Sequence, residues 1–211
     1  YVINYKQINM VTSIPIDSIP HMTIHQLESF FPLDNPEKEL IVSTWGGVIR
    51  RLEKCFTPNP NKYYSRDGET YFNPFHSGQY CIYLYFLSNE VWKAGNALLA
   101  DKIYYLNKIM NGLDMFYQVE LPEFFKLDHP VGSVIGRGHY SNGFSFGQNC
   151  TVGNNKGVYP RLGINFRMCA NSTILGNCNV GDNVTLGAGA LVKDQDIPSN
   201  SLVFGQSPNL I

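Results

Sequence analysis

An aliphatic or aromatic residue returns at every sixth position between Val134 and Val192, and this period constrains the fold more than any other feature of the chain. One phase reads Val134, Tyr140, Phe146, Val152 and Val158. After a two-residue slip it continues as Leu162, Met168, Ile174, Val180, Leu186 and Val192. Helices repeat at 3.6 residues and simple strands at 2, so neither gives a period of six. A parallel β-helix does, because each hexapeptide forms one short flat face and three faces close a coil. The periodic side chain is expected to point into the bore. Gly often follows it, as in Phe146-Gly147, Val152-Gly153, Leu162-Gly163, Val180-Gly181 and Leu186-Gly187, where a small residue should let the chain turn the corner. An ordinary β-sandwich would show period-2 alternation with turns about every 8 to 12 residues, and this stretch lacks both.

The remaining sequence reads as mainly helical, so the expected class is α+β: a helical N-terminal domain over 1–120, a left-handed parallel β-helix over 121–205, and a tail over 206–211. Residues 1–19 look irregular or strand-like. Thr23 and Gln26 read as a capping box that opens a short helix through Phe31, and Asn35-Pro36 as a cap and first-turn proline. Behind it Leu40, Ile41, Trp45, Val48, Ile49 and Leu52 keep helical spacing despite Gly46-Gly47. A Pro-, Asn- and Gly-rich connection over 57–75 carries the turn signal Asp67-Gly68. Two strongly apolar helices follow, at about 79–92 and 94–112. They are expected to pack on each other and on neighbouring subunits, with the stripe Tyr80, Tyr83, Tyr85, Phe86, Trp92, Tyr104 and Tyr105 as core.

With 211 residues the chain can bury one large or two small cores. Its net charge of −1 and lack of a Lys/Arg run argue against a nucleic-acid partner, and no apolar run approaches a membrane span. Five cysteines show neither a CxxC pair nor metal-ligand spacing, so free thiols in a reducing, cytoplasmic compartment are expected.

Of the five histidines only His129 and His139 fall in the repeat. His139 sits in a Gly-rich corner beside the inward-phased Tyr140, so alternation turns its imidazole outward, where it can serve as a general base. Near the C-terminus Leu186-Gly187-Ala188-Gly189-Ala190-Leu191-Val192-Lys193-Asp194, Ile197-Pro198-Ser199-Asn200-Ser201 and Gly205-Gln206-Ser207-Pro208 resemble the closing segment of hexapeptide-repeat acyltransferases. Upstream, His129-Pro130 followed by Ile135-Gly136-Arg137-Gly138 is similar to the start of the coils in their serine O-acetyltransferase branch. The resemblance covers about residues 127–208; the helices match in layout only, and the first 75 residues carry none of it.

In that family the catalytic His lies in an Asp-His-Ala-Thr-Gly segment, followed three residues after its Gly by another Val/Ile-Gly. His139-Tyr140-Ser141-Asn142-Gly143-Phe144-Ser145-Phe146-Gly147 fits with one extra residue, so the resemblance implies His139 as general base. It also implies a homotrimer, with acetyl-CoA as acyl donor in the groove between adjacent β-helices and no metal. Lys193 and the backbone of Gly187, Ala188 and Ala190 match positions near that cofactor. The family's supporting Asp, two residues before its His-Pro, is Leu127 here, which makes the neighbouring Asp128 the candidate orienter.

Two departures bear on the acceptor. Gly138 replaces the Asp before the catalytic His, and the Arg-His-Pro segment that helps bind the amino acid reads Val158-Tyr159-Pro160, with Arg161 after it. Burying an amino acid's charges unpaired is costly. The expected acceptor is therefore an uncharged sugar hydroxyl, on a nucleotide sugar or a cell-surface polysaccharide precursor, met by Tyr140, Asn142, Tyr159 and Arg161. The alternatives are serine acetylation, a zinc enzyme resembling γ-type carbonic anhydrases, which would need a third His, and a non-catalytic scaffold.

Overall fold

A computed structural model of the chain describes residues 8–211. Contacts divide the chain between Met110 and Asn111, so the second unit begins ahead of the expected boundary at 120. Residues 1–7, part of the stretch expected to be irregular, lie outside the described residues.

The first unit holds β1 (Met10–Thr12), α1 (Ser18–Glu28), α2 (Asn35–Phe56), β2 (Ser65–Arg66), β3 (Glu69–Phe72), α3 (Ser77–Lys93) and α4 (Ala97–Asn111). Helix α1 starts five residues before Thr23, which is buried mid-helix. The Thr23 hydroxyl does not cap: it lies 3.1 Å from the Ile19 carbonyl oxygen and within hydrogen-bond distance of the Tyr80 and Tyr83 hydroxyls. A Thr/Gln pair reads alike at a cap and on a core-facing turn, and packing decided between them. Helix α2 does carry a capping box, formed by Asp34 and Glu37, with Pro36 in the first turn. Glu37 is buried and takes a 2.6 Å ion pair from Lys102 of α4.

Every residue of α3 from Gly78 to Asn89 is buried. It packs chiefly against α2, where Trp45 meets Tyr83 edge-on at 5.6 Å and Arg51 reaches Asn89 and Glu90. At Gly47 of α2 a Cβ would press on the Glu90 carboxylate at 3.3 Å. Helix α4 is tied to α3 by the Asn107 amide donating to the Cys81 carbonyl at 3.0 Å. Tyr105, expected as core, is exposed. The 57–75 connection folds into a hairpin of β2 and β3 around Asp67-Gly68, with β1 added in parallel to β3.

The second unit is a left-handed parallel β-helix. It opens with β4 (Asp114–Met115) and β5 (Phe125–Leu127). One coil follows as β6 (Val134–Ile135), β7 (His139–Tyr140) and β8 (Phe144–Phe146), and the next as β9 (Thr151–Gly153), β10 (Arg161–Leu162) and β11 (Arg167–Met168). Above them lie β12 (Thr173–Leu175), β13 (Asn179–Val180) and β14 (Thr185–Leu186), then β15 (Leu191–Lys193) and β16 (Leu202–Val203). A closing hairpin, β17 (Gly205–Gln206) and β18 (Asn209–Leu210), continues the sheet of β15, so the expected tail is part of the scaffold. The first face stacks β4, β6, β9, β12 and β15; the second stacks β7, β10 and β13; the third stacks β5, β8, β11, β14 and β16.

The bore is filled by the periodic residues, with two corrections. Val134 is 42% exposed and its neighbour Ile135 points inward instead. Val158 is 45% exposed because residues 154–160 leave the coil as a short excursion, closed by an Asn155–Val158 bridge. Leu162 therefore stacks on Tyr140 and Met168 on Phe146, and the two-residue slip is this insertion.

The glycines after the apolar positions do not make the turns. Gly163 and Gly181 are required because an added Cβ would lie 2.4 Å from the next coil's Gly181 carbonyl oxygen and Ser199 hydroxyl oxygen. The left-handed conformations that bend the chain come a few residues later, as in Asn165, Asn183 and Asn200. Their amides form a ladder at 3.0 and 3.1 Å up one corner. Ile174 is fully enclosed between Val152 and Val192. Ile174→Ala is expected to destabilise the protein by about 2–5 kcal/mol through lost transfer energy plus a cavity, read by chemical denaturation.

Candidate active site

The corner between the third and first faces repeats one element on every coil. Asp128-His129, Gly147-Gln148, Cys169-Ala170 and Gly187-Ala188 stand above one another, because the Asp128 N–H donates to the Phe146 carbonyl, Gly147 to Met168, Cys169 to Leu186 and Gly187 to Val203. Each step is one strand spacing, so the His129 and Gly187 levels are about 14 Å apart. His129 sits in the left-handed region at φ 50°, followed by the fixed φ of Pro130. Gly132 is held at φ 76° against the Asn149 side chain, where a Cβ would lie 2.1 Å from the amide oxygen. This corner opens into a pocket of about 160 Å³ whose lining includes Asp128, His129, Ser145, Gly147, Arg167 and Cys169. Asp128, His129 and Arg167 are exposed, and no ion pair joins them to one another or to any other described residue.

His139 lies elsewhere. It opens β7 on the second face, exposed as alternation requires, with its N–H donating to the Pro160 carbonyl at 2.9 Å. Arg161 is its direct neighbour on the next coil, and Tyr159 lies just before in the excursion. The structure thus brings His139, Arg161 and Tyr159 to one edge. Asp128 does not belong to that group: it follows β5 on the third face, where its N–H donates to the carbonyl of Phe146, at the end of β8 and beyond the corner that the chain turns after His139. The expected Asp128–His139 pair is therefore corrected, since the two residues turn different corners of the prism.

Tyr140 is also corrected as a sugar-stacking residue. It is 7% exposed, fills the bore beside Phe144 at 4.8 Å between centroids, and donates its hydroxyl proton to the Gly136 carbonyl. The Asn142 side-chain oxygen accepts from the Phe124 N–H at 3.2 Å, joining two coils. Among the expected cofactor residues, Gly187 is covered by the Phe204 ring and Ala188 is exposed, whereas Ala190 is buried with its N–H donating to the Gly187 carbonyl and its carbonyl accepting from the Thr173 N–H, so it is corrected as a cofactor contact. Lys193 is exposed at the far end of the first face, on a cleft of about 340 Å³ shared with Gln195, Ser207 and Pro208.

The alignment on His139 passes over His129, although the signal is in the sequence. Asp128-His129-Pro130-Val131-Gly132, with Ile135-Gly136 three residues after its Gly, meets the family's spacing without the extra residue that His139 needs.

No family model matches the chain. A Schizosaccharomyces pombe protein, whose name marks serine acetyltransferase activity as provisional, is 25% identical over 205 residues, covering 95% of this chain and 73% of the relative. Serine acetyltransferase 2 of Arabidopsis thaliana is 31% identical over 139 residues, covering 64% of this chain but 43% of the plant protein. The chain likewise spans 63% of the Staphylococcus epidermidis serine acetyltransferase, so under two thirds of either of these two curated relatives. Among solved structures, the Neisseria gonorrhoeae serine acetyltransferase superposes with a TM-score of 0.70 at 22% identity, covering 94% of this chain and 79% of that one. A serine acetyltransferase solved as a complex with CoA gives a TM-score of 0.69 at 17% identity, covering 91% and 82%. In sequence and in fold the chain is similar to the serine acetyltransferase branch of the hexapeptide-repeat acyltransferases.

The corner beside Lys193 is held by Asp194, whose carboxylate accepts from the Asn177 N–H at 2.9 Å and from the Asn155 amide. The Asn177 bond, with help from Asn155 and Lys193, lowers the Asp194 pKa below the ordinary carboxylate value. A depressed carboxylate stabilises the fold above its unfolded-state pKa and loses that contribution as pH falls through its folded value. Asp194→Ala is therefore expected to lower Tm at pH 7 and to differ less from the parent at about pH 3, below the usual Asp pKa. Thermal melts at the two pH values check this.

Proposed function

We propose that this chain, a CoA-dependent acyltransferase of the hexapeptide-repeat type, moves an acetyl group from acetyl-CoA to the hydroxyl of serine, with His129 as general base. One observation carries this reading: an acid, an imidazole and a guanidinium, none neutralised by another, line the pocket at Asp128, His129 and Arg167. The expectation of an uncharged sugar rested on the loss of the Asp before the catalytic His. Once His129 takes that place, Asp128 is that Asp, and the objection to a charged acceptor weakens. The relatives reported above are named for serine, which favours the serine alternative over a glycan.

Acetyl-CoA supplies a thioester carbonyl open to attack by a hydroxyl oxygen. Small residues suit its approach: Ala188 and Gly189 are exposed, and nothing lies within 4 Å of where a Gly189 Cβ would stand. Those backbones, with Lys193 as a point charge for phosphate, would hold the donor along the stacked corner. His129 takes the acceptor hydroxyl's proton as the oxygen attacks the carbonyl carbon. It then returns that proton to the departing thiolate, so the imidazole ends as it began. Asp128, beside it, meets the ammonium of the acceptor. The working unit in this reading is a homotrimer with acetyl-CoA between adjacent β-helices. The five cysteines form no disulfide among the described residues, which suits a reducing, cytoplasmic compartment.

His129→Ala is expected to lower turnover with L-serine by about 10²–10⁴-fold while acetyl-CoA binding persists. Thiol release and calorimetry measure the two. Full activity in that variant, with turnover collapsing in His139→Ala, would return the base to the second face. A panel of sugars that outpaces L-serine in the parent protein would restore the glycan acceptor.

A further inference from the structure

We infer that Arg167 anchors the carboxylate of the acceptor, replacing the Arg-His pair that this chain lacks at Val158-Tyr159. The inference rests on the serine reading and assigns the partner for the acceptor's second charge. A zwitterionic amino acid brings an ammonium and a carboxylate into the pocket, and each needs a fixed opposite charge there. Asp128 supplies one. The two residues before Pro160 are uncharged, so the other must come from a different place in the fold.

Arg167 has the position and freedom for this role. It lies in the outward ladder of the third face, directly above Ser145 and below Thr185, so no carboxylate neutralises it along the strand stack. Its side chain makes no ion pair or hydrogen bond with any described residue, although Asp128 lines the same pocket. An acid and a base that share a pocket of about 160 Å³ without pairing form a template for a molecule carrying both charges. The guanidinium fork matches a carboxylate in two parallel hydrogen bonds. Ser145, 8% exposed and on the same pocket wall, offers a hydroxyl as a further donor.

The competing role for Arg167 is a contact to the phosphates or pantetheine of acetyl-CoA, and kinetics separate the two. Initial rates are measured for the parent, Arg167→Gln and Arg167→Lys, varying L-serine and acetyl-CoA in turn, with ethanolamine as an acceptor that lacks the carboxylate. The expected result for Arg167→Gln is a KM for L-serine raised about tenfold or more, as for a lost charged hydrogen bond. Its KM for acetyl-CoA should stay within about twofold of the parent, and the preference for serine over ethanolamine should shrink. Arg167→Lys should recover part of the loss, having the charge without the fork. A folded Arg167→Gln with unchanged KM for serine, or with a raised KM for acetyl-CoA alone, overturns the assignment and leaves the serine reading standing. A parent protein that does not acetylate L-serine removes that reading and this inference together.

Discussion

Every part of the β-helix depends on registered stacking of one coil on the next. Tyr140 lies under Leu162 and Leu162 under Val180, while Phe146, Met168, Leu186 and Val203 form a matching column on another face. Backbone ladders fix the spacing and the buried side chains supply the driving force, about 1.5–3 kcal/mol for each fully enclosed aliphatic or aromatic group. Each coil touches only its neighbours, so stability is close to a sum of local interfaces. That is why the excursion over residues 154–160 is tolerated: it leaves the stack and returns in phase, with the Asn155 and Val158 backbones paired at 3.0 Å.

A scaffold of this kind has little freedom inside and much at its corners. Inward positions must be apolar, and several corner glycines are fixed by the coil above, as Gly187 is by the Phe204 ring. Outward positions and turns carry no such demand, so chemistry collects there. The corner bearing His129 shows how: a left-handed residue, a proline and a constrained glycine aim the imidazole outward beside a stack of small residues. Asp128 and Arg167 reach the same pocket from different coils because strand pairing brings β5, β8 and β11 side by side. Charges fixed on a rigid wall in this way suit general-base chemistry of the kind proposed above, because the groups are held in place before any ligand arrives.

The first unit rests on a different principle. Its helix α3 is buried all round, and the apolar sequence from Tyr80 to Leu87 announces this. Polar contacts then set the details: Glu37 with Lys102, Arg51 with Asn89 and Glu90, and Thr23 among the hydroxyls of Tyr80 and Tyr83. Buried polar groups need partners, and those partners come from distant positions in the chain, so the pairs are invisible in the local pattern.

The period of six determined the β-helix and most of its inward residues, since a repeating environment demands a repeating side chain. The closing segment from Leu186 to Pro208 likewise carried the family likeness. The sequence also placed α2, α3 and α4 to within a few residues through apolar spacing, although α2 is capped by Asp34 and not by the expected Asn35. Tertiary structure decided the rest. It moved the inward position from Val134 to Ile135, sent Val158 out of the stack with the excursion, and set Asp128 apart from His139. It brought Arg167, 39 positions along the chain from Asp128, to the pocket that Asp128 and His129 line. The physical reason is the fold itself: residues on one wall of a coiled stack are neighbours through hydrogen bonds between strands, and sequence separation says little about which corner a residue turns.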